Sequence, residues 1–129
     1  MIAHVQTTDG LAIVDLEEET LVGLDPQGTV EAAVAPRLSL PLVVAAAAAG
    51  STIVAVVGTT PPIVVSHDAG RTWHESGRGL PPGRAVAISS EDPDLVLYAS
   101  RNRLYLSRDG GRFWRGLALE LPEIAAVSL

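Results

Sequence analysis

The sequence predicts an all-β chain built from repeated four-stranded antiparallel sheets. Three observations carry that expectation. An eight-residue segment recurs at a fixed offset, short apolar runs alternate with turn signals, and Gly and Pro, at 12 and 9 of 129 residues, are frequent enough to punctuate many turns. Hydrophobic residues make up 47% of the chain and aromatics only 4%. The core therefore falls to Val, Ala, Leu and Ile, which suit tightly stacked sheets, and the length suits a single domain.

The repeat is specific. Ser66 to Trp73 reads SHDAGRTW and Ser107 to Trp114 reads SRDGGRFW, an offset of 41 residues that holds for Ser, Asp, Gly, Arg and Trp alike. Leu80-Pro81 recurs as Leu121-Pro122, and the apolar IVV before Ser66 matches LYL before Ser107. A short hairpin must satisfy its turn amides. A carboxylate at Asp68 or Asp109 can accept several of them, and Ser66 or Ser107 adds a hydroxyl. Gly70 and Gly111 supply the freedom that a positive φ requires. Trp73 and Trp114 then open the outgoing strand and offer a large plate for packing between sheets.

Reading strands between turn signals gives one set at 84–89, 95–100, 103–108 and 112–117, and another at 41–48, 52–58, 62–67 and 71–76. A degenerate set falls at 2–7, 11–16, 20–25 and 29–35, with Asp25-Pro26-Gln27-Gly28 where the repeated turn should be and Glu31 or Ala32 in place of Trp. A rival register pairs Leu11–Leu24 with Leu104–Leu117 and makes VDLEEETL the failed turn. It needs an 11-residue insertion, so the four-strand count is preferred. The units are then 1–40 (degenerate), 41–82 and 83–122, with 123–129 (EIAAVSL) matching the first strand of the last unit and beginning a unit left unfinished.

The stretch Leu38–Gly58 has about the length of a membrane span. Pro41 near its start, the Gly50-Ser51-Thr52 turn signal and the Val-rich second half favour two buried strands joined by a hairpin, although Ala45–Ala49 is a good helix former. No basic segment precedes an apolar run at the N-terminus, so no secretory signal is expected and the cytoplasm is the default compartment.

The two repeated lines resemble the Asp-box (BNR) repeat, S-x-D-x-G-x-x-W, of sialidases, sortilin-type receptors, xyloglucanases and photosystem II assembly factors. The resemblance is strong from about Leu42 to Pro122. It implies a β-propeller in which Ser66, Asp68, Gly70, Trp73, Ser107, Asp109, Gly111 and Trp114 are structural residues of the turns. Sialidases of this kind also carry an Arg-Ile-Pro segment and a catalytic set of Arg, Tyr and acids. The nearest string here, Pro36-Arg37-Leu38, does not match.

Other catalytic patterns are weak as well. Ser66, His67 and Asp68 spell a hydrolase triad, but consecutive strand residues point to opposite faces, so His67 cannot bridge its neighbours. His4 and His74 have no partner at a metal-ligand spacing. Tyr98 and Tyr105 sit in strands with core periodicity. Glu17-Glu18-Glu19 and Glu91-Asp92-Pro93-Asp94 lack the alternating ligands and Gly of a calcium loop. Gly110-Gly111 belongs to the repeated turn, and no phosphate cradle remains. With no Cys there is neither a disulfide frame nor a thiol nucleophile. A net charge of -6, with every one of the nine cations an Arg, argues against a nucleic-acid surface.

Three propeller units cannot close a ring, because every sheet needs cover on both faces. The expectation is a homodimer making a six-bladed ring with closed two-fold symmetry. Residues 1–43 carry seven acids against Arg37 alone, while 84–129 hold six Arg in a neutral segment, five of them close together. Acidic first units are accordingly expected to face Arg-rich last units across the chains, with the leftover last strand completing the partner's first unit. The expected role is a non-enzymatic interaction or assembly module without cofactor or metal, whose ligand is a protein or a carbohydrate; no nucleic acid and no membrane partner are expected. The alternatives are a fragment or remnant of a glycosidase- or sialidase-like propeller and a carbohydrate-binding propeller.

Overall fold

The computed structural model describes residues 1–31 and 34–129. Among them are twelve strands and no helix, in three four-stranded antiparallel sheets. Strands β1 (Ile2–Thr7), β2 (Gly10–Asp15) and β3 (Thr20–Asp25) are followed by β4 (Val43–Ala49), β5 (Thr52–Val57), β6 (Ile63–Ser66) and β7 (His74–Ser76). The remaining strands are β8 (Ala85–Ile88), β9 (Val96–Ala99), β10 (Arg103–Ser107), β11 (Arg115–Glu120) and β12 (Ile124–Ser128). We call β4-β5-β6-β7 the alanine sheet, β8-β9-β10-β11 the central sheet and β12-β1-β2-β3 the terminal sheet.

The alanine run is a strand. Its tight hairpin turns on Gly50 at φ 59°, Ala49 pairs with Thr52, and the Val-rich β5 supplies the partner edge that overrides the helical preference of Ala. Small side chains also let strands approach closely: β8 lies against both β4 and β12, so these three are the inner strands of the stack. Among the described residues no helix is long and apolar enough to cross a membrane.

Alternation along the central sheet sends two sets of side chains to two neighbours. Leu95, Leu97, Ala99, Leu104, Leu106 and Leu117 pack against Ala3, Val5, Ala12, Val14 and Ile124 of the terminal sheet. Val86, Val96 and Tyr98, with Tyr105 and Trp114 behind them, pack against Val54, Val56, Ile63 and Val65 of the alanine sheet. Each fully buried Val or Leu contributes about 1.5–3 kcal/mol, so these two seams dominate the stability of the fold. Tyr98 is the largest fully buried side chain. Its ring lies 5.9 Å from Tyr105 and 5.8 Å from Trp114, and its hydroxyl donates to the Pro81 carbonyl. Burial pushes the Tyr98 phenol above its ordinary value, so it stays neutral. Gly83 is required beside it, since a Cβ there would come within 2.5 Å of the ring.

The structure corrects the strand count. Residues 29–31, 34 and 35 form no strand, and Ala32 and Ala33 of the expected strand 29–35 lie outside the described residues. The last strand neither begins an unfinished unit nor waits for a partner chain. It pairs antiparallel with β1, Val127 opposite Val5 and Ile124 opposite Thr7, and becomes the innermost strand of the terminal sheet. There is accordingly no extra strand among the described residues. The physical reason is that β1 carries bonding groups on both edges, and β12 emerges beside it after a connection of only three residues, Leu121–Glu123.

This permutation also corrects the register. In the central and alanine sheets the repeated turn joins the third and fourth strands, and the matching place in the terminal sheet is the β2–β3 turn, Leu16–Glu19, not Asp25–Gly28. The failed turn is therefore VDLEEETL, and the inserted length is the connection from β3 to β4, residues 26–42. That connection starts at the outermost strand of one flanking sheet and ends at the innermost strand of the other, which explains its length.

If β12 closes the terminal sheet from within the chain, Ile124→Ala should lower stability by about 2–5 kcal/mol in urea denaturation. Truncation before Ile124 should abolish cooperative unfolding.

Candidate functional site

The two repeated turns are built alike. In the first, Ser66 Oγ accepts the Gly70 N–H at 2.8 Å and donates to Asp68 Oδ1 at 2.8 Å. Asp68 also accepts the Thr72 N–H at 2.9 Å and the Thr72 hydroxyl at 2.6 Å. In the second, Ser107 Oγ accepts the Gly111 N–H at 2.9 Å and donates to Asp109 Oδ1, which takes the Arg112 and Phe113 N–H groups at 3.1 and 3.0 Å. The chain reverses through two successive left-handed residues, Ala69 and Gly70 at φ 61° and 90°, and Gly110 and Gly111 at 75° and 91°. Ala69 is the strained member, because a Cβ disfavours that region.

These contacts hold both carboxyls below the usual carboxylate range, Asp68 chiefly through the Thr72 hydroxyl and Asp109 chiefly through the Phe113 N–H. Ser66 and Ser107 are buried and fully engaged with their turns. His67 does not bridge Ser66 and Asp68; its Nε2 donates to the Gly110 carbonyl at 3.0 Å, tying the alanine sheet to the turn of the central sheet. Trp114 lies in that same seam and donates from Nε1 to Ser76 Oγ at 3.0 Å. Its counterpart, Trp73, stands half-buried on the opposite face of the alanine sheet.

The acid clusters cap their own turns. Asp15 Oδ1 accepts the Glu17 and Glu18 N–H groups at 2.9 and 3.0 Å, which lower its pKa, and Asp92 Oδ1 accepts the Asp94 N–H at 3.1 Å. Among the described residues, no three His, Asp or Glu side chains come together as a metal site requires. Tyr105 and Tyr98 both lie in the packed seam.

Acidic and Arg-rich segments meet within the chain. Glu19 Oε2 sits 3.0 Å from Arg115 Nη1 and Glu19 Oε1 accepts the Ala118 N–H at 3.0 Å; Arg115 is the main cause of its lowered pKa. Within the Arg-rich segment itself, Glu123 lies 2.9 Å from Arg84 and 3.6 Å from Arg101. The reason is the sheet order: the Arg-rich sheet is the middle one, and the acidic terminal sheet is its neighbour. Sequence reasoning missed Glu19 and Glu123 as tethers, and the rejected register VDLEEETL held the signal for Glu19.

Two surfaces remain open. The alanine sheet turns Val44, Ala46, Ala48, Ile53, Val64 and Trp73 away from the central sheet, with Val44 54% exposed. The terminal sheet turns Ile2, His4, Gln6, Leu11, Ile13 and Asp25 outward, with Ile2 40% exposed; the connection after β3 crosses one end of this face, where Val30 N–H donates to Gln6 Oε1 and Gly28 lies against Leu11, so Ile2, His4 and Ile13 are its open part. Between the three inner strands lies a groove of about 680 Å³, lined largely by Ala residues, with Arg84 and Glu31 on its wall.

Relief of the left-handed Ala should make Ala69→Gly more stable by about 0.5–1 kcal/mol, read from urea denaturation. An unfolded Asp titrates near 4, and the folded Asp68 and Asp109 titrate lower, so the turns contribute their stability above about pH 4 and lose it as pH falls through the folded values. The double variant Asp68→Asn/Asp109→Asn should therefore melt lower than the parent at neutral pH, and the gap should shrink in acid, as measured by Tm against pH.

No protein-family model, no curated protein and no solved structure matches this chain.

Proposed function

We propose that the chain is half of a six-bladed Asp-box β-propeller and serves as a non-enzymatic interaction and assembly module, made complete by a second copy. One observation carries this reading: the central sheet has both faces buried, and each flanking sheet has one buried face and one outer face with apolar residues left in part to solvent, Val44 and Ile53 on the alanine sheet and Ile2 and Ile13 beside His4 on the terminal sheet. Large apolar faces of this kind are docking surfaces or aggregation hazards in a stable protein. Adjacent inner strands and outward-running third and fourth strands are the arrangement of propeller blades, and three blades are half of a six-bladed ring.

The chemistry of the side chains supports a binding role over catalysis. The hydroxyls of Ser66 and Ser107 serve their own turns, Tyr98 and Tyr105 serve the core and Asp15 and Asp92 cap loops, so these residues are committed to the fold. The Ala-lined groove would become part of the ring's central channel, where a protein or carbohydrate ligand would meet Arg84 and Glu31.

Light scattering at micromolar concentration should return twice the chain mass of 13.4 kDa. A well-behaved single-chain particle would contradict the reading.

A further inference from the structure

We infer that the second copy docks with the open face of its terminal sheet on the open face of the alanine sheet, so that the seam between chains repeats the seam between the alanine and central sheets. This rests on the half-ring reading above and adds which residues meet. The internal repeat supplies the correspondence. The central sheet presents Val96, Tyr98, Tyr105 and Trp114 to its neighbour, and 41 residues earlier the alanine sheet carries Ala55, Val57, Val64 and Trp73 on the face turned away from the central sheet, Ala55 and Val57 buried at its base and Val64 and Trp73 half-buried. On the other side of the same seam stand Val54, Val56, Ile63 and Val65, and 52 residues earlier the terminal sheet carries Ile2, His4, Leu11 and Ile13 on its open face. Strand pairing relates the outermost strands one residue off that offset: Ile63 is opposite Ser76 and Leu11 is opposite Asp25, so Asp25 takes the place of Ser76.

Volume is compensated in part: Val96, Tyr98 and Tyr105 become the smaller Ala55, Val57 and Val64, while Val54, Val56 and Val65 become the larger Ile2, His4 and Ile13. The net loss of volume means that the two sheets must approach more closely there than in the internal seam to pack without voids. Polar groups also match. Trp114 donates to Ser76 in the internal seam, and in the seam between chains Trp73 faces the partner's Asp25, a stronger acceptor.

Charge is complementary at the rim. Glu19 occupies the place of Arg71 in its own turn, 52 residues earlier, and reaches the outermost strand of the adjoining sheet. Arg71, exposed in the first repeated turn, accordingly lies over the partner's β3 beside Asp25, and His67, whose ring meets Gly110, corresponds to Asp15. The open terminal face thus brings acids to the Arg71 rim. Two-fold symmetry makes this contact twice and leaves no sheet face uncovered, so the ring closes.

The absence of native Cys permits a direct test. Gly110 meets His67 in the internal seam, so Ala69 should meet the partner's Asp15. A short bifunctional maleimide should link the double variant Asp15→Cys/Ala69→Cys chain to chain, while either single variant stays unlinked. Independently, Ile13→Glu should halve the particle mass in light scattering and leave the circular dichroism spectrum unchanged. Like-to-like linking of either single variant, or an Ile13→Glu protein that remains a dimer, would overturn this pairing while self-association stands. A parent protein of single-chain mass would remove both.

Discussion

A β-sheet that is apolar on both faces has to be covered on both, and everything else in this chain follows from how far one polypeptide can meet that demand. The central sheet meets it fully, with Leu-rich side chains toward the terminal sheet and Tyr98, Tyr105 and Trp114 toward the alanine sheet. The flanking sheets meet it on one side only. Burial of the two inner seams is large enough to hold three sheets together.

Two local devices make the stack possible. One is the repeated turn, in which a serine hydroxyl and an aspartate satisfy the amides of a left-handed reversal that would otherwise lie open beside the neighbouring sheet. The other is the pairing of β12 with β1, which brings the two ends of the chain into one sheet and removes an open edge at the inner strands. The long connection 26–42 is the consequence of that permutation, because the chain has to pass from one flank of the stack to the other.

Much of this was legible in the residues. Every strand from β1 to β3 and from β4 to β12 falls within a few residues of its expected place, including the Ala run, because alternation and turn chemistry are local signals. The positions of Trp73 and Trp114 followed from the 41-residue offset alone. What local patterns do not carry is which edge a strand joins. The last strand looked like a surplus, and Thr29–Ala35 looked like a fourth strand, since a count in chain order treats each sheet as contiguous. The same assumption placed the failed turn at Asp25–Gly28 and so missed the ion pair between Glu19 and Arg115.

Small-angle X-ray scattering tests the central claim most directly, because it reads mass and shape together. The account expects a compact, closed, ring-like particle containing two chains. A particle of one chain, or an elongated run of many, would contradict it.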